Sequence, residues 1–247
     1  MCGKNWLGVV IVVGTLLVGP PVRVGGQATT RSAPAGEALA LDFSDPTKAF
    51  ESYLKAQKKF DFKALKECVW IGPPEQAARV DIFLTYNLWQ NYLERAAVAK
   101  YGVEQGMTVL GHLRTYEQQI DVDLKRLPLA NVDPEPGNAD RATLFLKPEK
   151  NPIPDYKTED TFYFRRVGGL WKLDYVRTYD LANAERAEEL KNQEILYPRI
   201  AKAFKKLSEE VKANKYRKAE DVKGAVAQAW DNALAPEGPP ATNKTPP

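Results

Sequence analysis

The feature that most constrains the fold is a pair of strand-like segments separated by only two glycines. Residues 161–167 are dense in aromatic and β-branched side chains, and residues 170–178 continue in the same way after Gly168-Gly169. Two glycines between such segments are typical of a tight β-hairpin, since its favoured turns need positive φ angles. Residues 142–147 predict a further strand after a turn-rich cluster at 131–137.

Side-chain alternation separates the two faces of the last strand. Trp171, Leu173 and Tyr175 share an apolar face, which leaves Lys172 and Asp174 on the opposite face. We therefore expect Asp174 to be solvated and not to line a pocket.

The chain before these strands has helical periodicity. Asp45-Pro46 predicts the start of a first helix, because aspartate caps helices well and proline is tolerated at the first helical position. Asp61 begins a short second helix, which Gly72-Pro73-Pro74 ends. A longer helix follows over about 75–100, and the apolar positions between 106 and 127 suggest another.

Residues 179–234 form a predicted helical extension, with interruptions near Pro198 and near Asn214. Within it, residues 197–224 carry nine lysines and arginines against four acids. A basic amphipathic segment can contact an anionic membrane surface or a polyanion, whereas the interspersed acids favour a solvated helix face. An apolar stripe for docking on the core is formed by Ile200, Phe204, Leu207 and Val211.

The two ends of the chain are predicted to lie outside the folded part. Residues 1–28 have the features of a secretory signal, with an apolar run over Trp6–Val18 and a cleavage site at Gly26-Gln27-Ala28. They predict an exported protein, periplasmic or secreted. An uncleaved membrane anchor is the alternative, although spanning takes about 17–25 apolar residues. Residues 29–43 are typical of a flexible leader, and residues 235–247 of a disordered tail.

Composition excludes several kinds of chemistry. The net charge of +3 falls to +1 when residues 1–28 are removed, so it gives no reason to expect nucleic acid. His112 is the sole histidine and Cys68 the sole cysteine beyond the signal, which excludes metal sites built on paired histidines, structural zinc sites and an intrachain disulfide. We expect neither a metal nor a cofactor. Cys68 lies in an apolar stretch and is predicted to be a buried thiol, with a disulfide-linked dimer as the alternative.

Two stretches resemble the nuclear transport factor 2-like superfamily. Residues 45–56 with 59–65 look like its opening helix pair, in which Gly-Asp-aromatic marks the bend; here Phe60 stands at the usual glycine. Residues 162–175 resemble its closing hairpin, with a glycine turn followed by Gly-x-Trp-Lys-Leu. The resemblance covers about 44–178. It implies an α+β fold in which a curved antiparallel sheet packs on the N-terminal helices as a cone with an apolar pocket.

Such cones host dehydratases, isomerases and cyclases, as well as members that only bind or dimerise, so the fold does not decide the function. The primary prediction is a non-catalytic binding or interaction module for a small apolar ligand or a partner protein. One alternative is an enzyme of isomerase or dehydratase type that uses the cone pocket. The other is an envelope or polyanion adaptor that acts through the basic C-terminal helices.

The resemblance also implies candidate site residues. Dehydratase-like members use a histidine with an acid, for which His112 is the candidate here; Asp121 and Asp123 follow it at spacings that do not enforce one helix face. Isomerase-like members use a carboxylate base, for which Asp81 is a candidate. The simpler interpretation of His112 is a lone histidine on a partly exposed helix, and that of Asp81 is an acid on a helix surface, neither with a catalytic role. Five aromatic residues are the candidate pocket lining, with ordinary core packing as the alternative: Tyr86, Trp89, Tyr163, Trp171 and Tyr175.

Overall fold

The structure, a computed structural model, describes residues 39–149, 152–153 and 160–235. Its α-helices are α1 (Pro46–Lys59), α2 (Phe62–Cys68), α3 (Pro74–Tyr101), α4 (Val103–Thr108), α5 (Tyr116–Arg126), α6 (Tyr175–Thr178), α7 (Ala187–Lys212) and α8 (Ala219–Leu234). Its strands are β1 (Val69–Trp70), β2 (Asn131–Glu135), β3 (Asn138–Phe145), β4 (Thr161–Val167) and β5 (Leu170–Asp174).

The strands form one open sheet in the order β1-β5-β4-β3-β2. Strands β2 to β5 pair antiparallel with their neighbours, and β1 pairs in parallel with β5. Helices before and after a mostly antiparallel sheet confirm the predicted α+β class. The sequence does not reveal β1, because two residues are too few for side-chain alternation to show.

The predicted hairpin is β4–β5. Val167 pairs with Leu170 across Gly168 and Gly169, whose φ angles are 57° and 82°. Residues other than glycine rarely adopt positive φ angles, so the two glycines let the chain reverse directly between the strands.

The first two helices begin where the sequence predicts. The side chain of Asp45 accepts a hydrogen bond from the backbone N–H of Lys48, and Pro46 occupies the first turn of α1. Asp61 caps α2 in the same way through the N–H of Ala64. Between them Phe60 adopts the left-handed conformation at φ 57°, the role that a glycine commonly takes at a helix C-terminus.

Three predicted boundaries are wrong. The cluster at 131–137 contains strand β2, which reverses into β3 at Gly137. The region 106–127 is two helices, α4 and α5. Pro198 does not interrupt α7, because the helix buries Tyr197 and Ile200 on either side of this exposed proline and that packing offsets the lost hydrogen bond. The interruption near Asn214 is confirmed, with Asn214 at φ 60°.

The prediction that Asp174 is solvated is also wrong. Asp174 is only 3% exposed. Strand β5 ends there and the chain turns into α6, so the carboxylate caps this helix by accepting from the N–H of Arg177 at 3.1 Å. Trp70 of β1 lies opposite Asp174 in the sheet and shields it further. The strand predicted to run to Thr178 is therefore shorter than expected.

The buried side chains form two core clusters. The first joins the strands to α1, α2, α5, α6, the start of α3 and Leu190 in the first turn of α7, and we call this part the sheet body. The second joins the rest of α3 to α4, α7 and α8, and we call this part the helical layer. The predicted stripe of the extension lies in the second cluster, where Ile200, Phe204, Leu207 and Val211 are all buried. Helix α3 contributes to both clusters and therefore connects them.

Of the predicted leader, the structure describes residues 39–43. Leu39, Leu41 and Phe43 pack against the sheet body, and the carbonyl of Phe43 accepts from the N–H of Trp171 at 3.0 Å. The predicted signal (1–28) and residues 236–247 of the predicted tail lie outside the described residues. In the part of the chain that the structure describes, no helix is both long enough and apolar enough to span a membrane.

Candidate functional site

Two of the predicted pocket residues lie in the helical layer. Tyr86 is buried and stacks on Tyr197 of α7, with ring centroids 4.1 Å apart. Trp89 makes an edge contact with Tyr92, and the Nζ of Lys205 lies 5.3 Å from its ring. Burial raises the pKa of Tyr86. Their contacts are with the long helices and not with the sheet.

The other three lie in the sheet body. Tyr175 is fully buried and its hydroxyl accepts from Nδ2 of Asn87 at 3.0 Å, while burial raises its pKa far above the usual range. Tyr163 lies under the guanidinium of Arg177 at 4.2 Å. Trp171 is partly buried against the first core. Four of the five predicted lining residues are therefore divided between two cores, and Tyr163 lies on the opposite face of the sheet, since its neighbours Phe162 and Phe164 face the first core.

Asp81 is an exposed acid on α3. Its carboxylate pairs with Lys66 of α2, and more than half of its side-chain surface faces solvent. A carboxylate this open to water is not enclosed in a pocket where it could meet a substrate. This geometry matches the simpler interpretation of Asp81 as a surface acid.

His112 has a partner that sequence reasoning missed. Glu94 on α3 is 1% exposed, and its Oε2 lies 2.5 Å from Nδ1 of His112. Its Oε1 accepts from the backbone N–H of Tyr116 at 2.7 Å. The imidazole packs edge-on against the Tyr116 ring, and its Nε2 lies 3.5 Å from Nε2 of Gln90.

This arrangement gives Glu94 a clear structural role. One buried carboxylate holds both the imidazole and the first turn of α5, so it fixes the connection between α4 and α5 against α3. The signal in the sequence is slight: Glu94 is an acid between the apolar residues Leu93 and Ala97 on the buried side of α3. Its importance depends on residues that come 18 and 22 positions later, so only the tertiary structure shows it.

The acids that follow His112 in sequence have other partners. Asp121 pairs with Lys58 of α1 at 2.5 Å. Asp123 is nearly buried and accepts from Arg126 at 3.1 Å and from Gln119 at 3.0 Å. Burial raises the pKa of Asp123, which these hydrogen bonds partly oppose. Asp121 therefore joins α5 to α1, whereas the partners of Asp123 lie within α5 itself.

A groove of about 400 Å³ lies between α7 and α8. Its floor consists of small and apolar side chains, and polar or charged side chains form its rims. The floor contains Ala203, Leu207, Ala225, Ala229 and Ala233. The rims contain Arg199, Lys206, Glu210, Lys215, Tyr216, Gln228 and Asn232.

The groove has an excess of positive charge. Its one carboxylate, Glu210, accepts from Lys215 at 2.6 Å and from the hydroxyl of Tyr216 at 2.7 Å. These donors hold the pKa of Glu210 below its usual range, while burial raises the pKa of Tyr216 to about 12. Arg199 donates to the carbonyl of Ala233 at 3.2 Å. Lys206 has no carboxylate within ion-pair distance among the described residues.

The described residues hold no group of three or more His, Cys, Asp or Glu that is placed to bind a metal ion. Cys68 is buried, as predicted, and burial raises its thiol pKa to about 12, which keeps it protonated at neutral pH. Comparison of the chain with protein-family models, with curated proteins and with solved structures gave no match.

Proposed function

We propose that this protein is an exported, non-catalytic interaction module. In this proposal a nuclear transport factor 2-like cone carries a helical extension, and the groove between α7 and α8 binds an acidic amphipathic helix of a partner protein. The groove, with its apolar floor and its excess of positive charge, is the observation that carries the proposal. Export rests on the sequence of residues 1–28 alone.

The contacts between the two resembling stretches favour the cone. Phe50 of α1 packs against Phe162 and Phe164 of β4, with ring centroids 4.2 Å and 6.1 Å apart. The opening helix and the closing hairpin of the resemblance are thus neighbours in space. Because these aromatic side chains occupy the space beneath the sheet, the proposal places binding outside the cone.

The shape of the groove suits a helix. Its α7 rim extends from Arg199 to Glu210, which at about 1.5 Å per residue is about 16 Å, or three helical turns. Ala225, Ala229 and Ala233 recur every four residues along α8. Their small side chains allow the backbone of a third helix to approach closely, as ridges-into-grooves packing requires.

The charges of the groove select the partner. Three cations border it against one carboxylate, and that carboxylate is already bonded to Lys215 and Tyr216. Acidic side chains on the polar face of a bound helix would meet Lys206, whereas basic ones would be repelled. An acidic helix is therefore favoured over an uncharged or a basic one.

The test uses two helical peptides of about fourteen residues. The acidic peptide has alanine and leucine on one face of the helix and glutamate on the other, and the basic peptide has lysine in place of each glutamate. Fluorescence anisotropy should show binding of the acidic peptide to the full chain and weakening of that binding as salt rises. Lys206→Glu and Ala229→Leu should each weaken it at least about tenfold.

Two exposed residues outside the groove provide matched controls on the same helices. Lys202→Glu repeats the charge reversal on α7, and Ala227→Leu repeats the added bulk on α8. Both control variants should bind the acidic peptide as the wild type does. Equal affinity for the acidic and basic peptides, or equal losses in the control and groove variants, would contradict the proposal.

A further inference from the structure

The face of the sheet opposite the first core carries three cations side by side. Ala142, Phe164 and Leu173 are cross-strand neighbours on the core face. Their sequence neighbours Arg141, Arg165 and Lys172 point to the opposite face, because side chains alternate along a strand. Arg141 pairs with Arg165 across β3 and β4, and Arg165 pairs with Lys172 across β4 and β5. We call Arg141, Arg165 and Lys172 the cation row.

This arrangement has a cost in the absence of a ligand. Adjacent strands lie about 4.8 Å apart, so the three Cα atoms fall within about 10 Å. Like charges that are directly opposite on neighbouring strands destabilise a sheet. A row of three cations on three adjacent strands therefore calls for compensation by negative charge.

The acids on this face compensate the row only in part. Glu135 lies 3.7 Å from Arg141 but is closer to Arg177, at 2.7 Å. The Oδ2 atom of Asp174 lies 3.4 Å from Nη2 of Arg165, and its Oδ1 atom caps α6. Asp133 pairs with Thr143, which is two residues beyond Arg141 on β3. Within the described ranges Lys172 has no carboxylate at ion-pair distance.

Arg165 is held in place by an aromatic ring and an ion pair. The Cζ atom of its guanidinium lies 3.7 Å from the centroid of the Trp70 ring, and among the described residues Nη2 forms an ion pair with Asp174. Its Nε is buried and has no hydrogen-bond partner in the described part of the chain. An arginine that is fixed by stacking loses little conformational entropy when it binds an oxyanion.

We propose that the cation row is a binding site for an oxyanion, with Arg165 and Lys172 as its main donors and Arg141 beside them. The ligand class is a phosphate or sulfate group, either free or carried on a larger molecule. Such a group accepts several hydrogen bonds at once and neutralises the row. This site is on the sheet and is independent of the groove between α7 and α8.

The test measures the melting temperature of the full chain in inorganic phosphate against chloride at equal ionic strength. Phosphate at about ten times its dissociation constant should raise the melting temperature by about 4 °C. Lys172→Gln should abolish most of that rise and leave the Arg165–Asp174 pair intact. In chloride alone this variant should melt no lower than the wild type, since a repulsive neighbour has been removed.

Lys191→Gln, an exposed change on α7, is the matched control and should keep the full rise. Arg141→Gln gives a second test that leaves Arg165 on Trp70. An equal rise in Lys172→Gln and Lys191→Gln, or no rise in the wild type with either inorganic phosphate or tripolyphosphate, would overturn the site. Tighter binding of tripolyphosphate by about tenfold or more would identify a carried group as the ligand, and equal binding a free oxyanion.

Discussion

The sheet body and the helical layer stabilise their helices in different ways. In the sheet body the helices are short, and α1, α2, α5 and α6 each begin with a side chain that accepts from the backbone. These caps are Asp45, Asp61, Thr115 and Asp174. In the helical layer α3 and α7 have 28 and 26 residues and no side-chain cap hydrogen bond.

Length explains the difference between the four capped helices and the two long ones, although the six-residue α4 of the helical layer also has no side-chain cap hydrogen bond. A short helix is marginal in water, so one cap makes up a large part of its stability. A long helix with a continuous buried stripe gains far more from packing, as α7 does by burying Ile200, Phe204 and Val211. In the short capped helices of the sheet body, local sequence signals therefore add to the packing, whereas α3 and α7 depend on contacts between distant segments.

The largest expected effect tests whether the two parts unfold together. Phe204→Ala in the helical layer and Phe50→Ala in the sheet body each remove a side chain that is 1% exposed. Each should lower the free energy of unfolding by about 4 kcal/mol. Because α3 belongs to both cores, chemical denaturation should show a single transition in both variants. Two separate transitions in either variant would contradict this.

The next effect concerns the pair that joins α3 to α5. His112→Ala leaves the carboxylate of Glu94 buried without its main partner and should cost about 3 kcal/mol. In the background of Glu94→Gln, which keeps an acceptor for the N–H of Tyr116, the same change should cost about 1 kcal/mol. Urea denaturation of the four proteins in this double-mutant cycle measures the difference. Equal costs in both backgrounds would show that the two residues do not act as a pair.

A smaller effect separates capped from uncapped helices. Asp61→Ala removes the cap of the seven-residue helix α2 and should cost about 1 kcal/mol, whereas Asp61→Asn should retain most of the stability. Glu75→Ala, in the exposed first turn of α3, should change it by a few tenths of a kcal/mol. Thermal or urea denaturation distinguishes these values. A comparable loss at both positions would remove the contrast between the two parts.

The smallest effect depends on pH and lies in the groove. Lys215 and Tyr216 hold the pKa of Glu210 below its ordinary value of 4.5. Glu210 therefore adds stability above pH 4.5, and that contribution is lost as pH falls through its lower folded pKa. Glu210→Gln should be less stable than the wild type at pH 7 by a few tenths of a kcal/mol, with the gap closing at acid pH. A gap that does not change with pH would contradict this assignment.

Sequence by itself was sufficient at several places where a signal and its effect are neighbours along the chain. Asp45 and Asp61 cap helices whose N–H groups lie three residues away. Gly168-Gly169 supplies positive φ angles at the turn itself. The stripe that contains Phe204 repeats at helical spacing, so the buried face of α7 is visible in the sequence although its partner α3 is not.

Tertiary structure alone decided the candidate sites. Asp174 is buried because β1 and α6 close over it, although alternation along β5 predicts a solvated carboxylate. Glu94 meets His112 because α3 and the α4–α5 connection pack together. The groove depends on how α7 lies beside α8, and the cation row depends on strand register. Burial and charge pairing arise between segments that are far apart in the chain, and packing brings these segments together.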